Sequence, residues 1–600
     1  MVLSKLNIIA IRILLNLLID YSFHKKPAIF CRLFAIFVLK PKLPVLTNET
    51  IAEKLNFFAT LLELHGENEF KVRSYHSAIF KIEKITENLA SLPKDTIIRL
   101  FGKSIGEKIW EITQTQTFQE LENLLAQTPQ GLLKVLKIKG LGAKRVRILW
   151  QEAGITTPEA LFEACENDKI SQIKGFGEKM QETIKNGLLF IQLNAEKLLY
   201  AEVLPIEQAL QNYLQASPSI KRFQVVGEFR RCLEVIQTLA FVVECGQDLH
   251  QYLNVCPFLE PNPEKSGIFV WRGKVKDLPL KVEFYLANEN NFAGLVFLLS
   301  ASEKHLVYAF QNQTLLEIAQ KNIWRSENEI YAKVGLPYLP PEIREGIFEF
   351  SYTQTPFLIE KQDLKGTLHA HSTYSDGKHS LAEMAKAAES FGFEYLGITD
   401  HSQSAYYAGG LSVQKIVQQH QEIETLNQQN PHFKIFKGIE SDILGNGDLD
   451  YDTEILKTFD FVVASIHSNL NMNEAKATER LIKAIENPYT TIIGHPTGRL
   501  LLRRKGYPLD MPKIIDACAS NGVALEINAH PIRLDLDWYW VHKALEKGVR
   551  ISINADAHDI EGYQYHQFGV LVARKAGLSP EMCLNCMNKA EIEAFFRSKK

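Results

Sequence analysis

From residue 366 to the C-terminus one unit recurs seven times: a short apolar strand, a chemically reactive end, then an amphipathic helix. The strands are read in "GTLHAHS", "YLGITDHS", "FKGIESDI", "FVVASIHS", "TIIGHPTG", "ALEINAHP" and "ISINADAH". Strand-helix alternation of this kind gives parallel strands joined by right-handed crossovers. Seven units in about 230 residues predict a distorted (β/α)7 barrel related to the eight-fold one.

In a parallel barrel the C-terminal ends of all strands open onto one face, where sites are built. His369, His371, Asp400, His401, Glu440, His467, His495, Asp556 and His558 fall at those ends, and the sixth strand ends in Asn528 and His530. His369 and His371 are two apart on a strand, so they point to the same side. Any one of these histidines reads most simply as a surface or satisfied core residue. The set does not, because gathering so many imidazoles and carboxylates in one place is costly without metal. Histidine is also unevenly spread: 12 of the 17 lie after residue 365. Mixed imidazole and carboxylate donors suit zinc, manganese or iron better than magnesium or calcium. There are more donors than one ion can use, so two or three divalent ions are expected, manganese or zinc foremost. Clustered ions suit phosphoester hydrolysis: they bind phosphate, acidify a bound water and stabilise in-line displacement.

"GTLHAHSTYSDG", "ITDHS", "GIESDI", "ASIHS", "GHPTGR" and "NADAH" together resemble the successive motifs of the PHP (polymerase and histidinol phosphatase) metallohydrolase family. The resemblance covers residues 366–600. It implies one metal held by His369, His371, Glu440 and Asp556. Glu440 would bridge to a second, shared with His467 and His495. Asp376, His401 and His558 would hold a third. Asp400 is expected to orient a ligating histidine. The loop after His495 carries Arg499, Arg503, Arg504 and Lys505, and Arg499 is the first choice for gripping a substrate phosphate.

The front of the chain is chemically different. Net charge is −3, so nucleic-acid binding must come from local patches. From about 48 to 195 apolar residues recur at helical spacing, and a short glycine pattern repeats within. "KIKGLGAKRVRIL" holds Gly140 and Gly142; "QIKGFGEKMQETI" holds Gly175 and Gly177. "RLFGKSIGEKIWEI" reads as a weaker copy, with Leu100 at the first glycine position and Gly102 at the second. Glycines permit a tight turn, and the helix that follows offers free N–H groups and a positive dipole end to a phosphate. Helix-hairpin-helix binding of DNA is therefore expected through Gly140, Gly142, Lys144, Arg145, Gly175, Gly177 and Lys179, without base reading. The alternative is an ordinary interhelix turn.

Helices, three hairpins, a strand-rich region from about 216 to 288 and "GLPYLPPEIREG" precede the barrel. In that order, over about 48–600, the chain resembles the bacterial DNA polymerase X family with its C-terminal 3′–5′ exonuclease domain. That family's palm carries Gly-Ser-x-Arg-Arg, then Asp-x-Asp, then a third Asp. Here Gly227, Arg230 and Arg231 match, Glu228 stands at the serine position, and the carboxylate positions fall on Thr238, Ala240 and Glu283. Neither Thr nor Ala replaces an anionic metal ligand. The resemblance thus implies a degenerate polymerase centre, with Arg230 and Arg231 available for residual binding of DNA ends or nucleotides.

The expected organisation is an apolar N-terminal extension over 1–46, a helical DNA-binding unit over 47–120 and a hairpin unit over 121–195. A palm over 196–288, a thumb-like unit over 289–350, a linker over 351–365 and the barrel over 366–600 follow. The extension is interrupted by Arg12, Asp20, Lys25, Lys26 and Arg32 and offers no span of ~18–20 apolar residues; it reads as a mis-assigned start or a membrane-surface helix. Eight scattered cysteines read as reduced thiols of a cytoplasmic protein. The expected function is metal-dependent 3′–5′ exonuclease action on DNA in repair, with no obligate protein partner. A small-molecule phosphatase and a DNA-binding scaffold with residual polymerase activity are the alternatives.

Overall fold

The computed structural model describes residues 46–599 apart from Thr86, Lys139, Gln247 and Gln311. The extension read over 1–46 therefore lies, except for Leu46, outside the described residues. Among the described residues no helix is long and apolar enough to cross a membrane.

The first region is helical. Helix α1, Asn48–His65, opens on the Thr47 cap and stops at Gly66, whose φ of 81° is left-handed. Its buried face, Ile51, Leu55, Phe58 and Leu62, joins a single apolar core that continues to Leu188. The stretches 47–120 and 121–195 share that one core. Helices α2, Ala143–Gln151, and α3, Glu178–Asn194, each follow a glycine pair. The first glycine of each pair turns the chain (Gly140 φ 87°, Gly175 φ 92°), and the second caps the helix with an extended backbone (Gly142 φ −70°, Gly177 φ −81°). Gly102 has φ 77°. It directly precedes its helix, as Gly142 and Gly177 do, but with a left-handed φ in place of their extended one.

The middle region is mixed α/β. Strands β1 (Ile220–Val226), β2 (Thr238–Cys245), β3 (Leu259–Pro261), β4 (Val270–Val275) and β5 (Lys281–Ala287) form a five-stranded sheet ordered β1-β2-β5-β4-β3. β2 and β5 are parallel and set Ala240 opposite Glu283. Residues 293–358 pack around Phe297, Trp324, Tyr331 and Leu339 in a core of their own.

The last region is a parallel seven-stranded sheet in sequence order: β6 (Gly366–Thr367), β7 (Tyr395–Ile398), β8 (Lys434–Asp442), β9 (Phe461–Ser465), β10 (Thr490–Ile493), β11 (Ala524–Asn528) and β12 (Ile551–Asn554). Its two edges nearly close the barrel, because Ala370 bridges Ala557 in parallel and His371 N–H donates to Ala557 O at 2.8 Å. Alternation along β8 sends Phe436, Gly438 and Glu440 to one side. Phe436 joins Tyr395, Phe461 and Ile492 in an apolar plug, and Phe596 of the C-terminal helix stacks on Phe461. The plug needs Gly438, since a Cβ there would meet the Phe461 ring at 2.5 Å. Glu440, one step further along, is left at the mouth.

The stretch 351–365 is not a loose tether. Ile359 is buried and its N–H donates to Leu578 O at 2.9 Å. One apolar core runs from the middle sheet into the shell of the barrel, from Tyr200 through Phe284 to Cys583.

Candidate metal centre

Glu440 is fully buried, and five imidazoles converge on its carboxylate. His467 Nε2 lies 3.1 Å and His495 Nε2 3.0 Å from Oε1, and His401 Nδ1 lies 2.9 Å from Oε2. His369 Nε2 stands at 3.3 Å and His371 Nε2 at 3.6 Å. Asp556 closes the cluster on the other side, 3.0 Å from His371 Nε2 and 3.4 Å from His369 Nε2. Further out, Asp376 faces His558 Nε2 at 3.4 Å and His401 Nε2 at 3.6 Å. Three groups have donor atoms close enough to share an ion: His369, His371 and Asp556; His401, Glu440 and His467; and His371, Asp376, His401 and His558. The nine residues expected as ligands thus meet in one place. The grouping differs in detail, with His371 also facing the Asp376 group and His401 also facing Glu440.

The electrostatics follow from this crowding. Burial raises a carboxyl pKa, yet the surrounding imidazoles hold Glu440 and Asp556 well below the ordinary range. Burial alone would depress His369 and His401, but carboxylates outweigh it and hold both above the usual imidazole value. His371 is pushed down to about 3 by burial and by its cationic neighbours His558 and His401. The donors fit divalent ions on a further ground. His369 Nε2 and His371 Nδ1 are buried without a hydrogen-bond partner, and unpaired buried polar atoms are costly. Two of the nine, His495 (φ 26°) and Asp556 (φ 52°), also hold left-handed backbone conformations, a form of strain that persists where the surroundings enforce it.

Two carboxylates that the sequence reading missed orient these rings. Glu526 Oε1 lies 2.7 Å from His369 Nδ1, and its other oxygen accepts the His495 N–H at 2.7 Å. Asp442 Oδ1 lies 2.5 Å from His467 Nδ1. Each turns the far nitrogen toward Glu440, as acidic partners of ligating histidines do. The signal was available: Glu526 interrupts the apolar strand "ALEIN", and Asp442 shares the Glu440 side of β8.

Asp400 does not orient a histidine. It accepts hydrogen bonds from Ser372 N–H, Ser372 Oγ, Ser375 Oγ and Gln419 Nε2. Neighbours on an extended chain point to opposite sides, so Asp400 turns from the cluster that His401 faces and anchors the loop bearing Asp376. Arg499 is engaged by the protein itself. Its Nη2 pairs with Glu234 of the middle region at 2.5 Å, its Nε donates to Arg533 O, and it also bonds Leu534 O. Its Nε and Nη2 are committed, and Nη1 has only Asp537 Oδ2, at 3.9 Å. The cation beside the cluster is Arg533, whose Nε is 3.9 Å from Asp556 Oδ2.

Comparison with known proteins agrees with this geometry. Residues 367–530 match the PHP domain, 46–118 a helix-hairpin-helix domain and 132–188 a SAM-like helix-hairpin-helix tandem. The chain is 34% identical over 566 residues to the DNA polymerase/3′-5′ exonuclease PolX of Bacillus subtilis (strain 168), covering 91% of this chain and 99% of that protein. It belongs to the PolX family. A probable phosphatase of Thermoanaerobacter sp. (strain X514) is 28% identical over 249 residues, 39% of this chain and 94% of the relative. The solved histidinol phosphate phosphatase from Lactococcus lactis, complexed with zinc, L-histidinol and phosphate, is 21% identical with a TM-score of 0.30, covering 36% of this chain and 94% of that one.

In this PolX-family chain the middle sheet sets Thr238, Ala240 and Glu283 side by side, with Glu283 engaged by Arg272 at 2.8 Å and by the Tyr285 hydroxyl. Glu228 accepts the Gln237 and Thr238 N–H groups, which commits its carboxylate. Arg230 and Arg231 are not free for nucleotides or DNA ends. Arg230 is forked onto Glu327 and bonds Ser300 Oγ; Arg231 pairs with Glu345, which also takes Lys575 of the barrel. Gly227 keeps its left-handed turn at φ 71°. On the hairpins, Gly142, Gly175 and Gly177 face open space and Lys179 is exposed. Lys144 pairs with Glu69 at 2.6 Å, and Arg145 donates to Gly140 O.

Proposed function

We propose that the protein is a metal-dependent 3′–5′ exonuclease that trims DNA in repair, acting at the barrel mouth, while the middle sheet serves as scaffold and no longer extends primers. The observation that carries this reading is the gathering of nine donor residues, Glu440 and Asp556 at their centre, with imidazole nitrogens buried without a hydrogen bond. Two or three divalent ions held by those residues would supply a phosphate-binding charge and an acidified water. Glu526 and Asp442 would keep the ring nitrogens of His369 and His467 aimed inward through turnover. Arg533 would meet the substrate phosphate. The hairpin glycines and the N-termini of α2 and α3 would hold the DNA backbone; the pairs of Lys144 and Arg145 there are exposed and weak. Thr238 and Ala240 leave the scaffold sheet without the carboxylates that nucleotidyl transfer needs.

The similarity to probable phosphatases supports a second reading, hydrolysis of a small phosphomonoester. The hairpin domains favour DNA. The test is a primer-template labelled at its 5′ end, incubated with manganese, with and without nucleotides. A ladder shortening from the 3′ end is expected, and His467→Ala should cut its rate at least ~100-fold, since outer partners of ligands alone are worth ~10–100-fold. Nucleotide-dependent extension would overturn the scaffold reading. Unchanged degradation by His467→Ala, or faster turnover of a phosphomonoester than of DNA, would overturn the exonuclease.

A further inference from the structure

The segment that follows His401 reads "SQSAYYAGGL". It is tied down along its length. Ser402 N–H donates to Glu440 O at 3.0 Å and Leu411 N–H to His401 O at 2.8 Å. Gln403 N–H donates to the Tyr451 hydroxyl, Ser404 N–H to Asp450 Oδ2 and Ser404 Oγ to Asp442 Oδ2. Ala405 and Leu411 are buried, and a Cβ on Gly410 would collide with Ser402 O. The segment is therefore a rigid mount. Yet Tyr406 is 87% and Tyr407 73% exposed. Tyr395, Tyr451 and Tyr563, also in the barrel region, are buried. The Tyr407 ring centre lies 6.3 Å from that of His401, a member of the metal cluster.

Two exposed aromatic rings carried on a rigid backbone beside a phosphate-handling centre match one ligand chemistry well. A nucleobase has an apolar π-face at a fixed reach from its phosphate, and stacking on tyrosine tolerates any base. Resting on the exonuclease reading above, we propose that Tyr407, with Tyr406 beside it, is the stacking platform for unpaired bases at the 3′ end of the strand being trimmed.

Base-aromatic stacking is worth ~5–150-fold in binding. The test compares two labelled single strands, one with a normal 3′ tail and one whose last nucleotides are abasic. Wild-type protein with manganese should cleave both, the abasic tail with KM raised ~5–150-fold. Tyr407→Ala should raise KM on the normal tail to the abasic value and leave the abasic tail unchanged. Tyr407→Phe, which keeps the ring, should behave as wild type. A Tyr407→Ala protein that still separates the two tails to the wild-type degree, or that loses both equally, would overturn the platform while leaving the exonuclease standing. Failure of the wild type to cleave either strand would overturn the exonuclease reading and the platform with it.

Discussion

At the scale of the residue, the decisive groups are imidazoles held between carboxylates. His467 sits between Asp442 and Glu440. Burial opposes its charge, but the two carboxylates win and push its pKa up from 6.5 to about 9. A pKa raised on folding adds stability that is full below the unfolded value and is lost as pH rises through the folded one. Metal-free protein should therefore lose stability between pH 6.5 and about 9, by on the order of 1–3 kcal/mol. An ion that binds here must displace the same proton, so metal affinity should rise across that window with protons released. Unfolding midpoints of chelator-treated protein at both ends of the window, and manganese titration calorimetry in two buffers of different ionisation enthalpy, check the two halves. A midpoint that is flat with pH, together with no proton release, would contradict the ionic state assigned to His467. His371, pushed down to about 3, stays neutral throughout and contributes nothing to the change.

At the scale of the element, the loop after β10 is fastened to the middle region by Arg499 and Glu234. Both are largely buried, and removing one partner of a buried pair strands the other. Arg499→Ala should cost ~3–5 kcal/mol, and Glu234→Gln should share that loss non-additively because the two groups act as one. Denaturant midpoints of both single variants and the double variant measure the coupling; additive losses would show that the pair is not one unit. This contact marks where sequence reading ends. The strands, their parallel order and the gathering of imidazoles and carboxylates at one mouth were legible because period and chemistry are local: β8 alone carries Phe436 for the plug and Glu440 for the site. Arg499 was misread because its partner lies 265 positions upstream, and nothing near either residue announces the other. Arg230 and Arg231 were misread for the same reason, their acids being supplied by Glu327 and Glu345. Glu526 could have been found, since a carboxylate inside an apolar strand must have a partner.

At the scale of the whole molecule, continuity of the core decides what can come apart. The middle sheet and the barrel share one apolar cluster, reinforced by Lys575, which reaches Arg231 O, Glu342 O and Glu345. Lys575 is buried, and burial lowers its pKa, so a charge there needs all three partners. The helical region has a separate core and meets the barrel through Lys378 and Glu49, whose side chains are 50% and 68% exposed. Such a pair is worth ~0–1 kcal/mol. Cleavage at a protease site placed in the exposed stretch near Thr353–Thr355 should therefore leave the two halves together on size-exclusion chromatography. Cleavage near Gln192–Glu196 should release the helical region as a folded fragment. The released fragment should retain DNA binding through the hairpins, while the remainder should keep metal-dependent hydrolysis of short single strands, since the metal cluster and Tyr407 all lie beyond residue 366. Separation of the halves at the first site would mean that the shared core does not hold the sheet to the barrel. The sheet would then not serve as a rigid foundation for the loop that follows His495.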